Sequence, residues 1–408
     1  MPDLLAPGGR LANMLPKVVL KPQKARKFAS RHPWVFGKAI DRVEGEVADG
    51  AEVELVTHRG KFVARGLLNR RSRIQLRLYT WTPGEQFDEA FWRRRLKTAL
   101  ALRRQLGYDA PDGAARLVFS EGDGLSGLVV DRYRDYLAVQ ITSLGMEARL
   151  PVLCRLLVEL TQARGIVIRT ERGMNQAEGI ELHDGLYWGQ APERDLVVNE
   201  NGLRWQVDLL EGHKTGFYLD QRENRHVAAQ FAKGRRVLDM FCYTGGFSIA
   251  ASARGEAAEV VAFDSSPKAI ALAQRNAQLN GAANIRFEVG EAFEALQGLA
   301  AAGERFGLVI LDPPKFARTR AARHEALRAY HWLNRMGMDL TEPSGTLVTC
   351  SCSGVISRED FRDVLIGAAQ QARRDVQVLE QRGASPDHPV AVNCPETEYL
   401  KCFVCRVV

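Results

Sequence analysis

The chain has 408 residues and a formal net charge of +7, with 46% hydrophobic and 26% charged residues. This composition is ordinary for a soluble globular protein, and the length predicts about two to four domains. No apolar run approaches the roughly 20 residues that cross a bilayer, and the first residues lack the pattern of a secretory signal. These observations argue against a membrane-spanning helix and favour a cytoplasmic protein.

Basic residues are concentrated near the start of the chain. Residues 17–77 contain 15 Lys and Arg against 6 Asp and Glu, a balance of +9, so the other residues sum to −2. A basic module on a nearly neutral body predicts an anionic polymer as partner. The alternative is a basic surface that only keeps the protein soluble.

Short alternating runs separated by Gly and Pro fill residues 17–79, for example 51–56, 62–68 and 74–79. Such runs are typical of the strands of a small β-barrel or sandwich. The segment 69–73, Asn-Arg-Arg-Ser-Arg, would then be a basic loop between two strands.

The pattern changes period in the middle of the chain. Apolar residues stud the basic, helix-favouring stretch 88–107 at helical spacing. Residues 116–190 then predict a mixed α/β region, with a helix from about 147 to 164.

Strands alternate with helical stretches from about residue 235 onward. Such alternation predicts a doubly wound, mainly parallel sheet, and therefore an α/β fold class. The last two strands, near 376–382 and 399–408, are separated by a loop without a helix. They predict an antiparallel hairpin at one edge of that sheet.

Seven cysteines, an odd number in a chain without an export signal, argue against a disulfide framework. Cys402 and Cys405 have the spacing of half a zinc site. They lie in an apolar run that predicts a strand, where residues three apart point to opposite faces. We therefore expect two buried strand cysteines and no metal site.

Three predicted strands end in residues suited to a nucleoside, and ligands of open α/β sheets bind at such ends. After the first strand come Asp239 and a loop in which Gly245 and Gly246 allow close backbone approach, without the spacing of a dinucleotide fingerprint. The second strand ends at Asp264, a carboxylate that can accept both ribose hydroxyls. Glu291 and the residue after it follow the third strand, placed to meet an adenine. Each feature alone could be a plain sheet end, but three in register are hard to obtain by chance.

The fourth predicted strand is followed by Asp312-Pro-Pro-Lys-Phe316. Two prolines hold the backbone rigid and remove two amide donors. An exposed carbonyl and the Asp312 carboxylate could then grip a flat base and its amino group. The alternative is a proline-rich turn.

The fifth predicted strand leads to Cys352, a candidate nucleophile at a strand end. A thiolate that adds to C6 of a pyrimidine activates C5 for methylation. The thiol must be partly ionised, which a nearby cation such as Lys315 would favour. The alternative is a buried structural cysteine, which is the favoured interpretation for Cys350.

These residues resemble the RlmI family of 23S ribosomal RNA 5-methylcytosine methyltransferases, over nearly all of the chain from about residue 17. The most specific motifs are 212–222, 312–316 and 351–353. The resemblance implies a Rossmann-like class I methyltransferase domain, a central α+β linking domain and an N-terminal PUA domain, which is an RNA-binding β-barrel. The predicted domains are 17–87 (PUA), 88–195 (linking) and 196–408 (methyltransferase).

The resemblance also implies roles for individual residues. The cofactor S-adenosylmethionine (SAM) would be bound by Lys214, Asp220, Gln221, Arg222, Asp239, Phe241, Gly245, Gly246, Asp264, Ser265, Glu291, Ala292 and Asp312. The first four would line its methionine end, and Glu291 replaces an Asp that is common at the adenine. The catalytic residues would be Cys352, Asp312 and Lys315. RNA would be bound by Arg31, Trp34, Arg70, Arg71 and Arg73.

The implied activity is methylation of C5 of a cytosine in 23S ribosomal RNA. The resemblance also suggests a homodimer. Many 5-methylcytosine enzymes carry a second cysteine beside the fourth-strand proline, and Pro313 and Pro314 have none beside them. An amino-group methyltransferase acting on guanine or adenine and a catalytically inactive RNA-binding scaffold remain alternatives. A nicotinamide dehydrogenase is disfavoured, because the glycine fingerprint is missing.

Overall fold

In the computed structural model, which describes residues 15–210, 216–317 and 319–408, the chain forms three β-sheets and one two-stranded hairpin. Each sheet is built from a continuous stretch of sequence. Within the described ranges, no helix is both long enough and apolar enough to cross a membrane.

The first sheet has six strands, and a short helix follows the first of them. The elements are β1 Lys17–Leu20, α1 Arg26–Ala29, β2 Trp34–Phe36, β3 Ile40–Glu44, β4 Glu52–Val56, β5 Phe62–Leu68 and β6 Ile74–Thr80. The strand order is β2-β6-β5-β4-β1-β3, and aliphatic side chains such as Val35, Leu55 and Leu76 fill the interior. The predicted β-structure and the loop 69–73 between two strands are confirmed.

The central region is a five-stranded sheet with helices. Its elements are α2 Glu89–Gln105, β7 Ala114–Phe119, β8 Leu128–Tyr133, β9 Tyr136–Ile141, α3 Leu144–Glu147, α4 Leu150–Thr161, β10 Gly165–Ile168, α5 Arg172–Glu178 and β11 Gly185–Gly189. The strand order is β11-β10-β9-β8-β7. Asp88 caps α2 by accepting a hydrogen bond from the backbone N–H of Phe91, and Phe91, Trp92 and Leu96 bury one face of this helix. The helix predicted within 88–107 is confirmed.

The helix predicted from about 147 to 164 is confirmed as α4, which a short helix precedes. α3 ends at Glu147, and α4 begins at Leu150 with Pro151 in its first turn. Proline lacks an amide donor and disfavours helical conformation in the residue before it. In the first turn of α4 the missing donor costs no hydrogen bond within the helix, so Pro151 is well tolerated there.

The last region contains the hairpin and a seven-stranded sheet. Its elements are β12 Leu196–Glu200, β13 Leu203–Val207, α6 Arg222–Gln230, β14 Arg236–Met240, α7 Gly246–Ala253, β15 Glu259–Asp264, α8 Pro267–Leu279, β16 Ile285–Val289, α9 Ala292–Ala301, β17 Phe306–Leu311, α10 Arg323–Leu340, β18 Thr341–Ser351, α11 Arg358–Ala372, β19 Val376–Arg382 and β20 Lys401–Val407. The strand order is β16-β15-β14-β17-β18-β20-β19. β16, β15, β14, β17 and β18 are parallel, and β20 runs antiparallel to both of its neighbours.

This topology confirms the predicted doubly wound sheet with an antiparallel end. The chain passes from β14 outward to β15 and β16, and then returns to the other side of β14 with β17. β14 therefore lies at the point where the strand order reverses, which is where open α/β sheets bind ligands. The last strand, β20, lies inside the sheet and leaves β19 at the edge.

Arg103 ties the central region to the loop between β19 and β20. Its side chain is 1% exposed, and its guanidinium donates to both carboxylate oxygens of Asp123, at 2.5 and 2.8 Å. It also donates to the carbonyl of Asp387 at 2.6 Å, and the Asp387 carboxylate accepts from the N–H of Arg116. Buried charge-assisted bonds of this kind are costly to break. They hold the segment before β20 against the central strands.

Candidate active site

The carboxyl ends of β14, β15, β17 and β18 meet at one edge of the parallel sheet, because neighbouring strands run in the same direction. Asp239 lies near the end of β14, and Asp264 is the last residue of β15. Asp312 directly follows β17, and Cys352 directly follows β18. Four predicted site residues from distant parts of the sequence therefore share one cleft, as the topology requires.

The loop after β14 has an unusual backbone. Phe241 and Tyr243 have φ values of 67° and 50°, in the left-handed region that non-glycine residues rarely adopt. Gly245 follows with φ 85° and begins α7; a Cβ there would lie 2.9 Å from a methyl carbon of Ile249. Strained backbone of this kind is concentrated at ligand-binding sites. Glycine at 245 is thus required both by its positive φ and by the close packing of Ile249.

Asp264 holds this loop in place. Its carboxylate accepts hydrogen bonds from the backbone N–H groups of Tyr243 and Ser266, both at 2.9 Å. An ionised carboxylate has about four acceptor positions, so two remain for hydroxyl groups of a ligand. Ser265 is exposed beside it, and Ser266 caps α8. This geometry fits the predicted ribose contact.

Asp239 is fully buried behind the loop. One carboxylate oxygen accepts from the Ser248 hydroxyl, and the other, Oδ1, has no hydrogen-bond partner among the described residues. Burial raises the pKa of Asp239 to about 7, and the charges of Asp312 and Asp264 add to the effect. A cation bound in the cleft would lower this pKa again, because it would favour the ionised carboxylate.

A chain of side-chain hydrogen bonds orients Asp312. The Gln221 amide N–H donates to Asp312 Oδ1 at 2.9 Å, and the Gln221 amide oxygen accepts from Asn224 at 2.6 Å. Asn224 in turn accepts from the Arg382 guanidinium at 3.0 Å. Gln221 therefore contacts a carboxylate of the cleft, and its contact with the cofactor stays a prediction. No sequence pattern indicated Asn224, whose role is visible only through these contacts.

The methionine-end prediction needs correction at Arg222. Its guanidinium is 4% exposed, donates to the Glu200 carboxylate and the Ala114 carbonyl, and lies 4.3 Å from the ring centre of Tyr108. These contacts turn it toward β7 and β12, so we assign it a structural role. Lys214 lies outside the described residues.

Asp220 joins the cleft to the segment before β20. Its side chain is 5% exposed, and its Oδ2 accepts from the Tyr399 hydroxyl at 2.5 Å. Its carbonyl accepts from the N–H of Ser385. Burial, followed by the neighbouring Asp220 charge, raises the pKa of Tyr399, so the phenol stays neutral and donates.

Cys352 differs from the other six cysteines, because it is half-buried and they are buried. Its sulfur lies 3.8 Å from the carbonyl oxygen of Pro313, in the segment that carries Asp312. Cys350 is 1% exposed and pairs in register with Cys402, whose contact raises the pKa of the Cys350 thiol together with burial. The predicted burial of the strand cysteines Cys402 and Cys405 is confirmed, and a structural role for Cys350 stays a prediction.

Among the residues that the structure describes, Lys401 is a buried cation on this side of the cleft that the sequence analysis missed. Lys315, the predicted cation, has an exposed side chain that makes no hydrogen bond or ion pair with any described residue. Lys401 is 1% exposed and pairs in register with Ser351, the residue before Cys352. A lysine inside an apolar strand sequence was the signal that could have revealed it.

At the outer end of the cleft, Glu291 is exposed at the start of α9, and its side chain does not cap that helix. Ala292 is buried, whereas Phe293 is 38% exposed and stacks on Trp332 with ring centres 4.7 Å apart. An exposed carboxylate beside an apolar surface is suitable for the edge and face of a purine.

The predicted RNA-binding residues divide into two groups. Arg70, Arg71 and Arg73 are exposed on the loop between β5 and β6, although Arg70 also pairs with Asp49 at 2.9 Å. The indole N–H of Trp34 instead donates to Glu121 of the central region at 2.7 Å. The visible role of Trp34 is therefore to join two parts of the molecule.

Arg31 lines a cleft of about 270 Å³ between the first sheet and α2. Arg94 and Arg95 of α2 line the same cleft, together with Glu85 and Asp123. The arginine side chains give it a cationic wall that continues from the first sheet onto the central region.

His32, Cys394 and Glu396 form a cluster of metal-ligand residue types among the described residues. The His32 Nδ1 accepts a hydrogen bond from the N–H of Trp34, and its Nε2 lies 3.4 Å from Glu396. The proton of the neutral ring is therefore on Nε2, where a metal would need a lone pair. This geometry favours a hydrogen-bonded contact between the first sheet and the β19–β20 loop.

Comparison with known proteins identifies the families of two parts of the chain. A family model described as S-adenosylmethionine-dependent methyltransferase matches residues 124–397, and a PUA-like domain model matches residues 18–81. A structure from Streptococcus mutans, named as a candidate SAM-dependent methyltransferase, has a TM-score of 0.83 at 19% identity and covers 96% of this chain and 100% of its own. At that identity the likeness shows the fold alone. It confirms the predicted fold class.

Two curated relatives match almost the whole chain. Ribosomal RNA large subunit methyltransferase I from Tolumonas auensis is 41% identical over 394 residues, which cover 96% of this chain and 99% of that protein. The protein of the same name from Aeromonas hydrophila is 39% identical over 396 residues, with 96% and 100% covered. The chain therefore uses SAM and belongs to the family of S-adenosylmethionine-dependent methyltransferases whose members carry the name ribosomal RNA large subunit methyltransferase I.

Proposed function

We propose that this enzyme methylates C5 of a cytosine in ribosomal RNA of the large subunit, with Cys352 as the nucleophile. The observation that carries the proposal is the position of Cys352. It is the half-buried cysteine among seven, and it directly follows β18 at the edge where Asp239, Asp264 and Asp312 also lie. The names of the relatives support ribosomal RNA of the large subunit as the substrate.

The residues of the cleft fit SAM. Asp264 has acceptor positions left for the ribose hydroxyls, and Glu291 is exposed where the adenine would lie. Asp239 offers a buried carboxylate oxygen without a partner among the described residues, which suits a ligand with positive charge. SAM supplies an electrophilic methyl group on a positively charged sulfur.

The reaction on cytosine follows from the thiol. The Cys352 thiolate adds to C6 of the ring, which makes C5 nucleophilic, and C5 accepts the methyl group. The C5 proton then leaves to a base, and the electrons of that bond expel the Cys352 sulfur as thiolate. Asp312, oriented by Gln221, is placed to accept a hydrogen bond from the amino group of the base.

RNA would reach the cleft along basic surfaces. We assign phosphate contacts to the exposed arginines of the loop 69–73 and to Arg31, which shares a cleft with Arg94 and Arg95. The target cytosine must leave its stack, because the thiol must reach C6 above the ring plane. An enzyme that modified paired and looped cytosines equally well would contradict this requirement.

We also propose three domains with a division of labour: 17–87 binds RNA, 88–195 links, and 196–408 binds SAM and catalyses. Each range contains a complete sheet or a sheet with its hairpin, which supports these boundaries. A fragment of residues 17–87 that binds RNA without SAM would support this division, and a fragment that requires the rest of the chain for binding would contradict it.

The experiment compares modified bases in large-subunit rRNA from cells with and without the gene, and in cells that carry Cys352→Ala. We expect one 5-methylcytosine to disappear in both cases. Cys154→Ala is the matched control, because Cys154 is buried in α4, away from the cleft. Loss of an amino-methylated purine, with Cys352→Ala fully active, would overturn the proposal in favour of amino-group methylation. That alternative needs Asp312 and no thiol.

A further inference from the structure

Lys401 is a buried lysine beside the segment that carries Cys352. It begins β20, pairs in register with Ser351 of β18, and is 1% exposed. Lysine is almost never fully buried unless its charge is paired. The position therefore calls for an explanation beyond sheet formation.

The ammonium of Lys401 is held by neutral groups. Its Nζ donates to the carbonyl oxygens of Ser353 and Tyr399, each at 2.8 Å. Among the described residues, no carboxylate lies within the 4.0 Å of an ion pair with it. Ser353 follows Cys352 directly, so this ammonium anchors the backbone next to the sulfur.

The acidic groups nearest to Lys401 are engaged elsewhere. Glu398 pairs with Arg358 at 2.6 Å, and Asp360 pairs with Arg323 at 2.6 Å. Burial lowers the pKa of Lys401 to about 8; the Arg358 charge also lowers it, and Cys352, Glu398 and Asp360 raise it. After burial, Cys352 has the largest influence, which places the thiol within electrostatic reach of the ammonium.

Three phenols are among the other described groups that interact electrostatically with Cys352. Tyr218, Tyr330 and Tyr399 all sense its charge, and burial raises the pKa of each, to about 12 for Tyr330. Asp312 lies on the neighbouring segment, where Pro313 contacts the sulfur. A neighbouring carboxylate disfavours a thiolate, and a neighbouring cation offsets that effect.

We propose that Lys401 is a positioning residue for the methyl transfer: its ammonium, anchored on the Ser353 and Tyr399 carbonyls, stabilises the Cys352 thiolate. This inference rests on the proposed role of Cys352 as nucleophile. It assigns to β20 the cation that the sequence placed at Lys315. β20, which lies antiparallel to β18, thereby supplies the cation that stabilises the thiolate.

The test measures the ionisation of Cys352 directly, by the rate of alkylation with iodoacetamide as a function of pH. The other six cysteines are buried, so the fast phase reports Cys352, and Cys352→Ala gives the background. We expect the intact enzyme to show a midpoint below the ordinary thiol pKa of about 8.5. We expect Lys401→Met to raise this midpoint by about one pH unit and to slow alkylation at pH 7 about tenfold.

Two variants separate charge from anchoring. Lys401→Gln keeps a donor for a carbonyl but no charge, and Lys401→Arg keeps the charge. If the charge matters, Lys401→Gln raises the alkylation midpoint as much as Lys401→Met does. Lys401→Arg then keeps the midpoint close to that of the unaltered enzyme. If Lys401 only anchors the backbone, the midpoint stays unchanged in folded variants, and the inference is overturned.

The outcome remains informative if the variants do not fold, because a midpoint at or above about 8.5 in the unaltered enzyme also contradicts the inference. Alkylation needs neither RNA nor SAM, so it is independent of the proposed function. Full methylation activity in Cys352→Ala would reject the cysteine mechanism whatever the alkylation midpoint. A shifted midpoint would still establish the contact between Lys401 and the thiol.

Discussion

The two sides of the cleft differ in charge, although they lie on the same edge of one sheet. On the β14–β15 side, burial and neighbouring acids raise the pKa of Asp239 to about 7. On the β18–β20 side, burial lowers the pKa of Lys401 to about 8. Each group is destabilised in its charged form until a partner of opposite charge arrives. One side is thus prepared for a cationic ligand, and the other for an anionic sulfur.

This difference explains how one cleft can serve two reactants. The carboxylates would attract the sulfonium and ammonium of SAM, whereas the lysine would favour the thiolate that attacks the base. If the two sides act independently, changes on one side should leave the function of the other intact. The following predictions test that separation.

The largest effect is expected from Cys352→Ala, because it removes the nucleophile and leaves the acidic side untouched. Methylation should fall on the order of a thousandfold or more, while the Kd for SAM changes less than about twofold. Single-turnover assays with labelled SAM and calorimetric titration measure the two quantities. Weakened SAM binding together with lost activity would show that the two sides are not separable.

Asp264→Ala should weaken SAM binding and leave the Cys352 thiol unaffected, the opposite of Cys352→Ala. It removes the acceptor of the predicted ribose hydrogen bonds, and two charge-assisted bonds correspond to about 2–3 kcal/mol, or roughly 30- to 150-fold in SAM affinity. Asp363→Ala is the control, because Asp363 is an exposed acid on α11. The alkylation rate of Cys352 should stay unchanged. An unaltered Kd in a folded Asp264→Ala protein would remove this residue from the SAM site.

The RNA-binding loop 69–73 should be separable from both sides of the cleft. Replacing its three arginines by Ala should weaken RNA binding about tenfold and reduce the slope of log K against log salt by about 2–3. Filter binding across a salt series measures this, and Arg305→Ala, at the opposite end of the sheet from the cleft, is the control for a single exposed arginine. An unchanged slope would place the phosphate contacts elsewhere.

The smallest effect concerns pH. Because the pKa of Asp239 is raised to about 7, the group is mostly protonated at pH 6 and mostly ionised at pH 8. If a cation binds beside it, SAM affinity should rise up to about tenfold over this range, with release of a proton. Asp239→Asn should flatten the dependence, and calorimetry in buffers of different ionisation enthalpy detects the proton. Uptake of a proton on binding would refute this account.

The same shift has a consequence for stability. A raised carboxyl pKa in the folded state means that ionisation costs folding free energy as pH rises from the ordinary value of 3.8 toward 7. Without SAM, Asp239→Asn should therefore have the higher Tm at pH 8, and the difference should shrink toward pH 5. Thermal unfolding at the two pH values checks this.

Local patterns in the sequence were sufficient for much of the fold. The alternation of strands and helices after residue 235 predicted the parallel sheet, and the acids at strand ends predicted Asp239, Asp264 and Asp312 at one edge. These predictions work because strand direction and hydrophobic period are properties of short segments.

Side-chain partners across long sequence distances were decided only by the tertiary structure. Arg222 pairs with Glu200 and so leaves the methionine end, and Trp34 bonds to Glu121. Lys401 meets the Cys352 segment because β20 enters the sheet beside β18, about fifty residues later in the chain.

The sequence by itself thus determined the family, the order of the elements and the strand ends at which the chemistry occurs. The tertiary structure decided which charged groups are buried together, and therefore which of them change their ionisation. The physical reason is that a strand end is specified locally, whereas burial and pairing depend on neighbours that only the packed sheet brings within a few ångströms.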